Sequence, residues 1–336
     1  MAHSVLSAEH FHNEEAAFAY VERHLWTDGP VCPFCGETAR IGRLEGKTTR
    51  AGLRKCYVCK KPFTVRIGTI FEGSHLKLHL WLQVIHLMCA SKKGISTREI
   101  QRLLQCSMKT AWFLTHRIRE AMSPASDAGP IGGSGKTVEA DETFLTRSPK
   151  TKRYEDQKRT AKSSPMVFSL VERGGRTRSI FLTEKTVRQA LREHLDFDSR
   201  LVTDQAMHYR KVMKKGQHES VNHSKEEYVR GDVHTNTLEG YFSLFKRGLV
   251  GVYQHMDERH LHRYLAEFDF RQNTRAKLGI NDAMRAEIAL KGFQGKRLTY
   301  ETTGGKEEGS AEWWAAKEAK MEKAFQARQI GLPFTE

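Results

Sequence analysis

The chain has 336 residues, a formal net charge of +15 and a pI near 9.6. This length allows two or three domains, and the excess of Lys and Arg favours a polyanionic partner, because cations that neutralise phosphates release condensed counterions. No apolar run approaches the ~20 residues of a membrane span, and the polar N-terminus lacks a signal-peptide pattern. We therefore expect a cytoplasmic protein with no membrane partner.

Most of the positive charge lies in the first third of the chain. Residues 31–122 contain 17 Lys or Arg and 5 Asp or Glu. This excess is typical of a surface that meets nucleic acid, and the alternative is a basic surface that only maintains solubility.

Two CxxC motifs follow a predicted N-terminal helical segment, residues 1–30. They are separated by 20 residues, at the edge of the usual zinc-ribbon range, and comprise Cys32, Cys35, Cys56 and Cys59. Two such turns can complete a tetrahedral thiolate shell around one Zn²⁺, which leaves no open position. The pattern predicts a structural zinc in a ribbon over residues 31–75; the alternative is two reduced cysteine pairs.

Basic residues alternate with small or apolar residues between the two motifs, as on an exposed β-hairpin. They are Arg40, Arg43, Lys47, Arg50, Arg54 and Lys55. We expect phosphate contacts there and assign Arg54 to DNA binding. The other two cysteines, Cys89 and Cys106, lack a partner at ligand spacing and lie in helical apolar patterns, which predicts core positions.

A short helix, a tight turn and a longer helix are predicted within residues 76–122. The first helix starts at a capping box, Ser96-Thr97-Arg98-Glu99. This order is typical of a helix-turn-helix, whose second helix enters the major groove by its N-terminal end. The residues expected at least partly outward on the second helix are Lys109, Thr110, Phe113, His116 and Arg117. Of these, we assign Lys109, Thr110 and Arg117 to DNA binding. An ordinary helical bundle is the alternative.

The second half of the chain starts after a Gly-, Ser- and Pro-rich stretch, residues 123–136, which predicts a linker. A strand at Val138–Phe144 comes first, and residues 147–162 predict a basic loop that is mobile or faces DNA. A hairpin, a helix, a strand and a final helix follow. This is the order of the ribonuclease H-like α/β fold, a mixed sheet with helices, in which the first strand is central and the fourth lies beside it.

Three acidic residues are the best indication of chemistry. Asp141 and Asp204 end or interrupt β-like runs, and Glu239 opens a helical pattern. Such a trio can hold the Mg²⁺ ions that assist phosphoryl transfer. The alternatives are that both aspartates are turn residues and that Asn236 caps the helix with Glu239 at its third position. Glu142 is expected on the opposite strand face from Asp141.

These motifs resemble those of DDE-type transposases of bacterial insertion sequences, in the group related to Merlin elements. The resemblance covers about residues 15–275 and rests on the CPFCG and CYVC motifs, VEADETF, LVTDQAMHY and especially VHTNTLEGYFSLFKRGLVGVY. It implies that Asp141, Asp204 and Glu239 hold two catalytic Mg²⁺ or Mn²⁺ ions. Because some members use Asn as the third ligand, Asn236 is an alternative to Glu239.

The resemblance implies an Mg-dependent transposase that binds terminal inverted repeats, cleaves the element ends and joins the 3′-OH to target DNA. A bacterial, nucleoid-associated homodimer or higher oligomer is expected, with Lys246 and Arg247 on the DNA backbone. The alternative functions are a DNA-binding regulator with an inert nuclease-like half and a nuclease without strand transfer. The predicted domain bounds are 1–30, 31–75, 76–122, 123–136, 137–275 for the catalytic domain and 276–336 for a C-terminal helical tail.

Overall fold

The computed structural model describes most of the first 298 residues. The described residues are 4–124, 128–145, 166–182, 186–204, 209, 213, 216–221, 229–254 and 256–298. Residues Met1–Arg297 form one compact unit, which contains all the elements below. The basic loop predicted at 147–162 and most of the predicted tail lie outside the described residues.

Eight helices and eight strands are assigned within those residues. The helices are α1 (Glu14–Leu25), α2 (Leu78–Ala90), α3 (Thr97–Leu104), α4 (Met108–Met122), α5 (Val187–His194), α6 (Asn236–Gly248), α7 (Leu261–Asn273) and α8 (Asp282–Lys291). The strands are β1 (Ile41–Arg43), β2 (Arg54–Cys56), β3 (Pro62–Phe63), β4 (Thr137–Phe144), β5 (Met166–Glu172), β6 (Thr177–Leu182), β7 (Arg200–Asp204) and β8 (His218–Val221).

The first sheet is a small antiparallel ribbon in the order β1-β2-β3. Its own buried core comprises only Cys32, Cys56 and Phe63. So small a core supplies little hydrophobic stabilisation, and modules of this size usually need a metal or a neighbouring core. A metal held by its four cysteines would supply such stabilisation.

Helices α1 to α4 and α8 share one apolar core, which includes Trp81, Ile85 and Phe293. The turn between α3 and α4 is tight because Gln105 adopts a left-handed conformation, with φ of 50°. Ser96 and Ser107 cap the two helices by accepting from the backbone amides of Glu99 and Thr110. The predicted order of short helix, turn and longer helix is present.

The second sheet has five strands in the order β6-β5-β4-β7-β8. Strand β4 is central; it pairs antiparallel with β5 and parallel with β7. The expected arrangement, with the first strand central and the fourth beside it, is therefore found. Both faces are covered, since α5 packs with one set of apolar residues and α6 and α7 with another.

Helix α4 is buried on more sides than the sequence predicts. His116 and Arg117, expected at least partly outward, are 0% and 5% exposed. The reason is that α4 contacts both the helical core and α7: Trp112 and Tyr264 flank the His116 ring. The hydrophobic periodicity of a helix indicates one buried face. It does not reveal that a second helix covers another face.

Candidate active site and zinc cluster

The four cysteines of the ribbon form a metal-binding cluster. Their Sγ atoms all lie within 4.8 Å of one another, and the Cys32–Cys59 and Cys35–Cys56 pairs are each 3.6 Å apart. Four thiolates bound tetrahedrally at about 2.3 Å from Zn²⁺ would be separated by nearly this distance. The donor set fits a structural zinc, as predicted. Cys89 is buried in the helical core, and Cys106 is half-buried against it.

Asp141 and Asp204 lie at neighbouring positions on the two central strands. Ala140 of β4 and Thr203 of β7 pair in parallel register, and each aspartate follows directly. Neighbouring strands are about 4.8 Å apart, and paired residues share a face. Both carboxylates therefore start from the same edge of the sheet, on the face covered by α6.

Glu239 lies on the first turn of α6. Its Oε1 accepts a hydrogen bond from the Thr235 hydroxyl at 2.9 Å. Thr235 is the N-cap of α6, and Asn236 is the first helical residue and is exposed. The alternative in which Asn236 caps this helix is thus wrong. The amide of Leu238, a donor that such a cap would satisfy, binds the carboxylate of Glu139 instead.

An open cleft of about 420 Å³ brings acidic and basic side chains together. Of the described residues, Asp141, Glu142 and Glu239 line it with Lys246 and Arg247. Asn236 is not among its lining residues. Two of the predicted DNA-contacting residues thus border the same cleft as two of the predicted metal ligands.

Burial raises the pKa of Asp141 to about 7, and the nearby charges of Asp204, Glu142 and Glu239 act in the same direction. The backbone amide of Glu142, which donates to Asp141 at 2.7 Å, opposes this rise. Such crowding of negative charge is relieved by a bound cation. Carboxylate oxygens are ligands that Mg²⁺ prefers, so the donor set fits, although among the described residues only the cysteines converge within 4.8 Å.

Glu142 and Glu139 have distinct environments. Glu142 accepts from the buried Tyr209 hydroxyl at 2.7 Å, on the face of the sheet that packs with α5. This placement agrees with the expected opposite face. Glu139, which the sequence reading did not single out, is fully buried on the α6 side. The sequence feature that could have identified Glu139 is its position two residues before Asp141, because residues two apart lie on the same face of a strand.

The predicted DNA-contacting residues fall into two groups. Lys109, Lys246 and Arg247 are exposed, and Thr110 is half-buried. Arg117, in contrast, donates from Nη1 to the carbonyls of Ile70 and Glu72 at 2.9 Å each.

Arg54 likewise contacts the protein itself. Its Nη2 lies 2.6 Å from the Glu22 carboxylate, and its guanidinium lies over the Trp26 ring. These contacts join the ribbon to α1. They give Arg54 a structural role.

Comparison with known proteins reveals two matching domain families. Residues 132–273 match the ISXO2-like transposase domain, and residues 12–62 match the transposase zinc-ribbon domain. The chain belongs to the insertion-sequence transposases. Over 286 residues this transposase is 25% identical to an uncharacterized protein in transposable element ISH50 of Halobacterium salinarum, a match that covers 80% of this chain and 94% of that protein.

The two matches fit the architecture of the transposase. The ISXO2-like region contains all five strands of the larger sheet and helices α5 to α7. The ribbon match contains α1 and all four cysteines. In the part of the chain that the structure describes, no helix is both long and apolar enough to cross a membrane.

Proposed function

We propose that this transposase cleaves DNA at the ends of its element and joins the freed 3′-OH to target DNA. Two observations support the proposal: Asp141 and Asp204 directly follow paired positions of two adjacent parallel strands, and Glu239 borders the same cleft as Asp141. The charges of Asp204 and Glu239 both act on Asp141. The strand order, with a central β4 and a parallel β7 beside it, supports a ribonuclease H-like catalytic domain. That fold presents such acids together.

Asp141, Asp204 and Glu239 would hold the metal ions. Two Mg²⁺ or Mn²⁺ ions, when bound, activate the attacking oxygen and stabilise the leaving oxygen of an in-line displacement. The protein contributes preorganisation: the Glu142 amide fixes Asp141, and the Thr235 hydroxyl orients Glu239. Glu239 is the preferred third ligand because it borders the cleft that Asp141 borders and carries a charge, which the amide of Asn236 lacks.

The substrate would be double-stranded DNA, both at the terminal inverted repeats and at the target. Lys246 and Arg247 border the acidic cleft and are placed to contact the phosphates beside the cleaved bond. Lys109 and Thr110 lie on the first turn of α4, the end that would enter a major groove if α3 and α4 act as a helix-turn-helix. Arg54 and Arg117 are left out of this surface because they bind carboxylate and carbonyl groups of the protein.

Two element ends must be brought together before joining, so the active species would be a homodimer or a higher oligomer on DNA. Purified protein would be incubated with a labelled duplex carrying the inverted repeat from the flanking DNA, a target plasmid and Mg²⁺. The proposal requires both nicking at the repeat boundary and labelled strands joined to the plasmid. Nicking without joining would identify a nuclease, and binding without nicking would identify a regulator.

A further inference from the structure

Glu139 is a buried acid next to the proposed catalytic site. It lies on β4 two residues before Asp141, and its side chain is 0% exposed. A buried carboxylate is costly unless hydrogen bonds and opposite charges compensate for the lost water. Its partners therefore indicate what the protein gains from it.

The carboxylate of Glu139 binds the first turn of α6. Its Oε2 accepts from the backbone amide of Leu238 at 2.9 Å, and its Oε1 accepts from the Thr237 hydroxyl at 2.9 Å. The N-cap residue Thr235 makes no side-chain capping bond to the helix backbone. Glu139 therefore performs the capping role from another element, where its charge also interacts favourably with the helix dipole.

A second set of contacts fixes the segment that leads into α6. Arg173, in the turn after β5, donates from Nε to Glu139 Oε1 at 2.7 Å. The same guanidinium donates to the backbone carbonyls of Asp232 and His234 at 2.7 Å each. The Glu139–Arg173 pair thus holds both the entry to α6 and its first turn against β4.

We propose that Glu139 is a positioning residue that sets where Glu239 stands relative to Asp141. One face of β4 carries both Asp141 and the anchor for the turn that bears Glu239, so the spacing of the two proposed ligands is determined by one strand. Displacements of about 1 Å in a reacting geometry can reduce rates about 100-fold. The inference rests on the proposed function only for its catalytic consequence; the anchoring itself is a property of the fold.

The test compares amide hydrogen exchange and Mg²⁺ dependence in matched variants of the full chain. Glu139→Gln removes the charge and one acceptor. Glu172→Gln makes the same change at a largely buried carboxylate on β5, which contacts Lys136 instead of α6. Thr237→Val removes only the hydroxyl donor, and Thr237→Ser retains it.

We expect Glu139→Gln to speed exchange at Leu238 and Glu239 by at least 10-fold and to raise the Mg²⁺ concentration for half-maximal cleavage several-fold. The Kd for DNA should stay within twofold. Thr237→Val should shift both quantities in the same direction by a smaller factor, while Thr237→Ser and Glu172→Gln should match the wild type. If Glu139→Gln does not fold, the Thr237 pair decides the question.

Two results would overturn the inference. One is exchange at the first turn of α6 that is unchanged in Glu139→Gln and Thr237→Val. The other is exchange that rises equally throughout the sheet, which would make Glu139 a general stabiliser. A wild-type protein that cleaves no DNA would refute the proposed function instead, and the exchange comparison would still decide the anchoring role.

Discussion

Arg119 on α4 donates from Nε to Glu267 on α7 at 2.7 Å, and neither side chain is exposed to solvent. Arg271 of α7 also pairs with Glu267, and the Tyr253 hydroxyl donates to it at 2.8 Å. The Arg119 guanidinium lies 4.2 Å from the centre of the Tyr264 ring. A buried ionic network therefore joins the helix proposed to read DNA to the domain proposed to cut it.

Removal of Glu267 should destabilise the protein more than removal of Arg119. Glu267→Gln leaves two buried guanidinium groups without their anion, a defect that costs about 3–5 kcal/mol. Arg119→Met leaves Glu267 with Arg271 and Tyr253, so a smaller loss is expected. Chemical denaturation measures both free energies of unfolding; equal losses, or a loss below about 1 kcal/mol for Glu267→Gln, would contradict the network's role.

Loss of one zinc ligand should unfold the ribbon and release the metal. Cys35→Ser breaks a four-thiolate shell around which only a small core is built. We expect less than one tenth of the wild-type zinc content and rapid proteolysis between residues 31 and 63. Cys106→Ser, at a half-buried thiol outside the cluster, is the control and should retain zinc. Full zinc content in Cys35→Ser would refute the tetrathiolate assignment.

Acidification should destabilise the protein through His116. Burial lowers the pKa of this imidazole to about 2, and the positive charges of Arg119, Arg263 and neighbouring histidines act in the same direction. The folded state keeps His116 neutral while the unfolded state binds a proton below about pH 6.5, so stability is lost as pH falls. The His116 contribution approaches about 1.4 kcal/mol per pH unit below pH 6.5.

The comparison with His116→Phe isolates this contribution, because other histidines with lowered pKa values contribute in the same direction. Thermal unfolding between pH 7.5 and 5 should show a shallower loss of stability in the variant. An identical pH dependence of thermal stability in the two proteins would show that protonation of His116 does not destabilise the folded state.

Lys109 and Arg117 should separate DNA binding from stability. Lys109→Ala at an exposed position should reduce DNA affinity and lower the slope of log K against log salt by about 1, with an unchanged melting temperature. Arg117→Ala removes two hydrogen bonds to backbone carbonyls and should lower the melting temperature. If binding titrations and thermal melts show instead that Arg117→Ala loses DNA affinity at an unchanged melting temperature, Arg117 is a DNA contact.

The sequence predicted those features that depend on local spacing. The CxxC pairs located the zinc cluster, Ser96 marked the start of α3, and β-like runs located the strands that carry Asp141 and Asp204. The order of the elements was enough to place these two strands side by side. Each of these predictions uses information within about 20 residues or a general rule of topology.

Features that depend on distant partners were not predictable in this way. The burial of His116 and Arg117 follows from the packing of α7 and residues 70–72 around α4. Likewise, Glu139 binds an amide 99 residues away, and that contact explains why Asn236 is not the cap. A polar residue in a β-like run usually indicates a solvent-facing position, and only the folded chain reveals the helix terminus that covers it.

Cleavage of an inverted-repeat duplex by single variants tests whether DNA cleavage requires Asp141 and Asp204. Asp141→Asn and Asp204→Asn should each reduce Mg²⁺-dependent nicking by at least about 1,000-fold, since loss of a metal ligand removes transition-state stabilisation worth several kcal/mol. The nicking rate of Glu239→Gln should be reduced similarly. The nicking rates of Asn236→Ala and of the exposed control Asp198→Asn should remain near that of the wild type. The DNA affinity of every variant should be unchanged. Nicking by Asp141→Asn or Asp204→Asn at the wild-type rate would show that the substituted aspartate is not needed for cleavage.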